Sequence, residues 1–246
     1  MLNHSDLLDH SDLIKDSFSS AGLRNEPLLS SMCIDNFFDD PYDIRKFALE
    51  QNFKFCTVGN WPGERTDPLP DTARPFMDYL MNLLVKTGRI TYSQSLGKKK
   101  VDITASFQIM RPFDDQVDSI LNRGFIHHDY TMTKLGQIHL TGIVFLNEHA
   151  RAECGTSLFQ VKPSIESVYT AVDIKRPYYL NHQRKKIEGF DQKLARHFDQ
   201  FTETQTFNHR FNRMIAFDSR YWHGVTSIHT GQPEGRLTLV FFMSIT

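Results

Sequence analysis

Residues 102–110 read DITASFQIM. Ile103, Ala105, Phe107 and Ile109 alternate with more polar neighbours, and a period of two places them on one face of a half-buried strand. Upstream the period is different. Phe76, Tyr79, Leu80, Leu83 and Leu84 stand at i, i+3, i+4, i+7 and i+8, which predicts a helix over about 72–86. Asp40-Pro41-Tyr42-Asp43 predicts another. Asp40 suits the N-cap, Pro41 the first turn, and the acids favour the positive end of the helix dipole. Ile44, Phe47 and Ala48 form its buried side, and it should end near Asn52. Downstream the alternating pattern returns in QIHLTGIVFLN (137–147), TSLFQV (156–161), RMIAFD (213–218) and RLTLVFFM (236–243). Helices first and strands afterwards imply an α+β fold, mainly β, instead of alternating βαβ units.

The chain has 246 residues, 40% hydrophobic and 12% aromatic, with twenty phenylalanines, enough to pack one large β-rich domain. A net charge of −1 and a pI near 6.8 give no bulk attraction to nucleic acid or membrane. Cys33, Cys56 and Cys154 form no CxxC pair and read as plain thiols in a reducing compartment. The opening MLNHSDLLDHSDLIKDSF carries acids and histidines without an apolar run, so it reads as neither signal peptide nor anchor, and a cytoplasmic protein is expected. Residues 1–30 are polar and weakly patterned, either frayed or a short capping helix. NWPGERTDPLP (60–70) is a proline- and glycine-rich loop; Trp61 and Arg65 either reach substrate or brace the turn. Between 161 and 209 the strands are interrupted, and Ile187, Phe190, Leu194, Phe198 and Phe201 keep near-helical spacing there. The runs Lys98–Lys100 and Arg184–Lys186 read as solvated loops, or as contacts for an acidic or nucleic-acid substrate.

The chemistry concentrates in FIHHDY, Phe125–Tyr130. On an extended chain His127 and Asp129 share a face and His128 points away. Taken alone, this pair fits a polar turn as well as half of a metal clasp. His223, in FDSRYWHGV, is the best third ligand. Two histidines and one carboxylate make the facial triad of non-haem Fe(II) oxygenases, which leaves open positions for a chelating cosubstrate and oxygen. Arg236 opens the last strand, with Thr238 on the same face. A buried arginine beside a hydroxyl seats a carboxylate in two-pronged fashion.

In that order, the motifs resemble the prolyl-4-hydroxylase-like branch of the Fe(II)/2-oxoglutarate-dependent dioxygenases. HLTGIVFLN, ECGTSLF and FDSRYWHGV resemble three further segments of that family, and the match spans about 102–246. The resemblance implies a double-stranded β-helix (jelly roll) with N-terminal helices packed on one sheet. It implies one oxygenase domain over 1–246, with 1–100 as helical support and 101–246 as core; the insertion at about 161–209 is a departure from the family, for which a lid over the site and a subunit interface are both open. His127, Asp129 and His223 would bind iron, and Arg236 the distal carboxylate of 2-oxoglutarate. The family often places a tyrosine where Phe145 stands, so Thr238, Thr141 or Gln108 would supply the missing donor. Tyr130, Arg111 and Trp222 flank the ligands and would either line the substrate pocket or pack around the barrel mouth. The implied cofactors are Fe(II), 2-oxoglutarate and O2. The implied reaction is hydroxylation of a peptidyl residue, a free amino acid or another small molecule, with release of succinate and CO2. Related halogenases lack the carboxylate that Asp129 retains. The nucleic-acid demethylase branch has a second arginine six residues after the first, where Phe242 stands here, so a nucleic-acid substrate is disfavoured. Two alternatives remain: a non-catalytic jelly-roll ligand-binding protein, and a zinc hydrolase, which would leave Arg236 unexplained.

Overall fold

The computed structural model describes residues 31–55, 61–70, 78–79, 82, 101–129, 138–169, 175 and 189–245. Among these, the elements follow in the order β1 (Met32–Ile34), α1 (Pro41–Leu49), β2 (Lys54–Phe55), β3 (Glu64–Arg65), β4 (Val101–Met110), β5 (Ile138–Phe145), β6 (Thr156–Val161), α2 (Phe190–Asp199), β7 (Phe201–Phe207), β8 (Met214–Asp218), β9 (Trp222–Val225) and β10 (Arg236–Ile245). They form two antiparallel sheets. The larger runs β1-β8-β5-β10-β4-β3-β2 and the smaller β7-β6-β9.

Register fixes which side chains meet. β10 pairs with β4 from Arg236↔Met110 to Ile245↔Val101, and with β5 from Thr238↔Phe145 to Ile245↔Ile138. Directly opposed residues share a face. The outer face therefore carries Ala105, Phe107 and Ile109 with Val144, Leu239 and Phe241, and packs on α1 through the buried Ala48. The inner face carries Ile143, Phe145, Ile215 and Phe217, and these meet Leu158 and Phe207 of the smaller sheet. Burying each such aromatic contributes about 2–3 kcal/mol. α2 covers the segment leading to the histidines, with Phe190 and Leu194 against Leu121 and Phe125. Gly142 has no room for a side chain, because a Cβ there would lie 1.9 Å from the Phe241 ring.

Asp40 caps α1 as the sequence implies, its carboxylate accepting from Asp43 N at 3.3 Å. Phe47 is 48% exposed, not buried; its ring only edges onto Phe107 at 5.9 Å, and the small Ala48 makes the close contact. α2 stops at Asp199, so Phe201 opens a strand instead of closing a helix. Of the helix expected over 72–86, residues 78–79 and 82 are described and helical. Tyr79, assigned to its buried side, is 49% exposed and sits edge-on to Phe37. Residues 1–30, Cys56, Lys98–Lys100, Tyr130, Arg184–Lys186 and Ile187 lie outside the described residues. Cys33 and Cys154 are free thiols. No described helix is long and apolar enough to cross a membrane.

Candidate metal centre

Residues 124–128 run extended alongside β9. Gly124 N donates to Val225 O at 2.9 Å, His127 N to His223 O at 2.9 Å, and His223 N back to His127 O at 2.8 Å. A reciprocal antiparallel bridge puts both imidazoles on one side, and their centroids lie 4.4 Å apart. Gly124 and Gly224 permit the close crossing: a Cβ on Gly124 would lie 2.9 Å from Val225 N.

Each imidazole is aimed by its own backbone. His127 Nδ1 lies 2.9 Å from Phe125 O and His223 Nδ1 lies 3.0 Å from Tyr221 O. A carbonyl can only accept, so both Nδ1 atoms carry the proton and both Nε2 atoms present a lone pair. These Nε2 atoms stand 3.5 Å and 3.3 Å from the Asp129 carboxylate oxygens. Asp129 is held in turn: its N donates to Ser219 O at 3.0 Å, and its Oδ2 accepts from Thr141 Oγ1 at 2.9 Å. One ligand atom from each of the three residues lies within 4.8 Å of the others. Ligands about 2.1 Å from a shared cation stand about 3 Å apart, so small side-chain adjustments would complete such a shell. Burial, reinforced by Lys175 and His223, lowers the His127 pKa and keeps the ring neutral, the form that binds metal. Burial pushes Asp129 up, but His223 and His127 outweigh it and hold the carboxyl well below its usual range.

Arg236 lies farther in and is 1% exposed. Its Nε donates to Cys154 O at 3.0 Å, and its Nη2 donates to Thr156 Oγ1 at 3.2 Å and Gly155 O at 3.4 Å. Its guanidinium faces the Phe145 ring at 5.3 Å. None of these partners is an anion. Burial lowers its pKa to about 10, so it stays charged at neutral pH. Two positions along, Thr238 is fully buried, and its Oγ1 has no hydrogen-bond partner among the described residues. A buried hydroxyl left unmet costs about 1–3 kcal/mol. A charged fork and an orphaned hydroxyl on one buried face fit a carboxylate ligand.

The remaining sequence candidates divide. Thr141 sits on Asp129 and also meets Ser219 Oγ at 3.0 Å. Gln108 is opposite Thr238 in register but donates to Pro62 O at 2.7 Å and accepts from Arg65 at 3.0 Å. Arg111 pairs with Glu64. His128 is exposed and meets the Trp222 ring edge-on at 4.7 Å, facing away from the ligands. Asn147 braces the start of β10: its Oδ1 accepts from Leu237 N at 2.8 Å and its Nδ2 donates to Gly235 O at 2.8 Å. Sequence reasoning missed Ser219 and Lys175. Lys175 is 7% exposed and interacts electrostatically with both His127 and Asp129. No local pattern marked it, because it lies in a stretch without clear periodicity.

Solved structures of similar shape include HygX from Streptomyces hygroscopicus with nickel, 2-oxoglutarate and hygromycin B bound (12% identity, 87% of this chain and 82% of that one, TM-score 0.47). They also include a Pseudomonas putida prolyl-4-hydroxylase (12% identity, 88% and 92% covered, TM-score 0.47) and EvdO2 from Micromonospora carbonacea var. aurantiaca complexed with 2-oxoglutarate (10% identity, 100% and 91% covered, TM-score 0.48). Similarity at this level assigns no residue its role. No curated protein matches the chain. A family model does, over residues 22–243, and the chain accordingly belongs to the family described as a family of unknown function, DUF6445.

Proposed function

We propose that the protein is an Fe(II)- and 2-oxoglutarate-dependent dioxygenase, a hydroxylase of a peptidyl residue, a free amino acid or another small molecule. The two sheets then form the double-stranded β-helix of a single oxygenase domain. One observation carries this reading: a triad of two imidazole Nε2 atoms and one carboxylate shares the molecule with a buried guanidinium whose partners are neutral and whose neighbour is an orphaned hydroxyl. His127, Asp129 and His223 fit a divalent metal, and Arg236 with Thr238 fits the far carboxylate of 2-oxoglutarate. Bound Fe(II) would supply the redox centre at which 2-oxoglutarate and O2 react, with succinate and CO2 released. The chain's own task is to hold the ligands with their Nδ1 protons turned away, to fix the cosubstrate in a dry seat, and to leave one side of the metal for substrate. Zinc hydrolysis leaves Arg236 without a role. We place the enzyme in the cytoplasm, free of membrane and nucleic acid; self-association is compatible with this reading.

The test is anaerobic titration of Fe(II)-loaded protein with 2-oxoglutarate, following the weak visible charge-transfer band of the chelate. The band should appear in wild type and fade in Arg236→Ala, with iron still bound. His128→Ala should keep both iron and band, whereas His127→Ala should lose both. Wild-type protein that binds iron but gives no band would refute the cosubstrate assignment.

A further inference from the structure

α1 covers the outer face of the large sheet, whereas the Arg236 guanidinium meets Phe145 on the inner face. A chain of polar contacts joins the two. Arg45 stands three residues before the buried Ala48, on the side of α1 that meets the sheet. Its Nη2 donates to Glu234 Oε1, and its Nε lies 3.4 Å from Glu148 Oε1. The Arg45 and Glu234 side chains are only 19% and 14% exposed. The same Glu234 oxygen accepts from Asn147 Nδ2 at 3.3 Å. Asn147 is fully buried and grips the backbone on both sides of Arg236: Nδ2 also donates to Gly235 O at 2.8 Å, and Oδ1 accepts from Leu237 N at 2.8 Å. The turn that carries Glu234 closes with Gly235 N donating to Gln232 O at 3.0 Å.

The period of two puts Leu237 into the outer core under α1 and Arg236 on the other side of the strand. The Arg236 side chain is tied to the start of β6 by Cys154 O, Gly155 O and Thr156 Oγ1, and its backbone is tied by Asn147. Where the guanidinium sits therefore depends on where Asn147 holds residues 235–237. A carboxylate acceptor polarises the Asn147 amide and strengthens the bond that its Oδ1 accepts. Arg45 stands between two carboxylates. Without it Glu148 and Glu234 repel each other, and Glu234 turns to solvent and leaves Asn147.

Building on the oxygenase reading, we propose that Arg45 and Glu234 are positioning residues for the 2-oxoglutarate seat. Acting through Asn147, they fix the backbone at 235–237 and so the place at which Arg236 meets the far carboxylate. They touch neither the metal ligands nor the cosubstrate. A two-pronged grip on a carboxylate demands placement to within about 0.5 Å, so a loosened strand entry weakens it. α1 thus belongs to the cosubstrate-binding machinery and is more than a cover for the sheet.

The experiment titrates anaerobic Fe(II)-loaded protein with 2-oxoglutarate and, separately, with pyruvate, a 2-oxo acid that has no far carboxylate. The chelate band reads both affinities. In Arg45→Gln and in Glu234→Ala the affinity for 2-oxoglutarate should fall about tenfold, while the affinities for pyruvate and Fe(II) stay as in wild type. Glu234→Gln keeps an acceptor oxygen for Asn147 and Arg45 and should fall between. The Arg45→Gln/Glu234→Ala double variant should lose no more than the worse single variant, because both act along one chain of contacts. Glu234 lies in a turn, so Glu234→Ala serves alone if Arg45→Gln does not fold. Unchanged 2-oxoglutarate affinity in either single variant overturns the proposal. So does an equal loss for pyruvate, which marks a general loosening of the site, or an additive loss in the double variant. Absence of the band in wild type defeats the oxygenase reading itself; the other outcomes, with the band present, defeat this inference alone.

Discussion

The hydroxyl of Thr141 holds Asp129 Oδ2 at 2.9 Å and is itself held by Ser219 at 3.0 Å. A ligand carboxylate pinned on one oxygen keeps its other lone pairs directed at the metal. Supporting bonds of this kind are worth about 10–100-fold in metal affinity. Thr141→Val preserves shape and removes the hydroxyl, so Fe(II) or Co(II) affinity should fall about tenfold or more, and Thr141→Ser should restore most of it. Calorimetric titration of the apoprotein reads both; unchanged affinity in the valine variant would deny Thr141 this role. At this scale the sequence was informative where chemistry is concentrated. His127 and Asp129 are two apart on an extended chain, so a period of two sufficed to put them on one side. Arg236 and Thr238 followed from the same alternation. Lys175 was illegible, because its meaning depends on which distant atoms it approaches. Thr141 was legible as an inner-face hydroxyl, but only its distance to Asp129 shows what it holds.

Strands that bury a face were legible, and strands that do not were not. β4, β5, β6, β8 and β10 each press an apolar face into a core, so their alternation or apolar run is written in the side chains. β7 is buried only at its terminal Phe201 and Phe207, with an exposed TETQT between them at the edge of the small sheet. No burial means no pattern, and its first residue matched the helical spacing of the segment before it. β9 is four residues long and carries His223 of the candidate metal centre, so its composition answers to that site more than to the sheet. Element packing also gives a sharp test at Gly142. The Phe241 ring lies across it, and a Cβ there would stand 1.9 Å away. Gly142→Ala should destabilise the protein by about 1–3 kcal/mol, with partial recovery in the Gly142→Ala/Phe241→Leu double variant. Urea melts of the four proteins measure the coupling; additive losses would mean that the ring does not occupy that space.

Across the whole molecule, buried histidines set how stability responds to acid. His209 is 7% exposed, donates from Nε2 to Asn147 O at 2.9 Å, and has its pKa lowered to about 4, chiefly by burial. His197 is fully buried between Ile126 and Tyr169 and is also lowered, again chiefly by burial. Both are neutral in the fold, whereas in the unfolded chain they gain a proton near pH 6.5. Below that pH the unfolded state binds more protons, so folding stability drops as pH falls, until His209 titrates in the fold near 4. For His209 the slope approaches about 1.4 kcal/mol per pH unit between those two values, and His197 adds to it in the same direction. Denaturant melts of metal-free protein between pH 7.5 and 4.5 should show this decline, and His209→Gln, which keeps a donor for Asn147 O, should make it shallower. A flat profile across that window would mean that these rings accept protons without unfolding.

The reciprocal bridge between positions 127 and 223 has a consequence for biogenesis. A ribosome that has emerged only the first of these histidines has made one imidazole and one carboxylate, a weak and fluxional chelator. The second imidazole arrives only after β9 has been synthesised and laid against residues 124–128. An ion held by these three residues therefore could not template the domain locally, as zinc does in a finger; loading would follow topology. On the oxygenase reading proposed above, a nascent or truncated chain would lack the full ligand set, and competence to activate oxygen would be acquired at the same moment as the completed sheet that contains it.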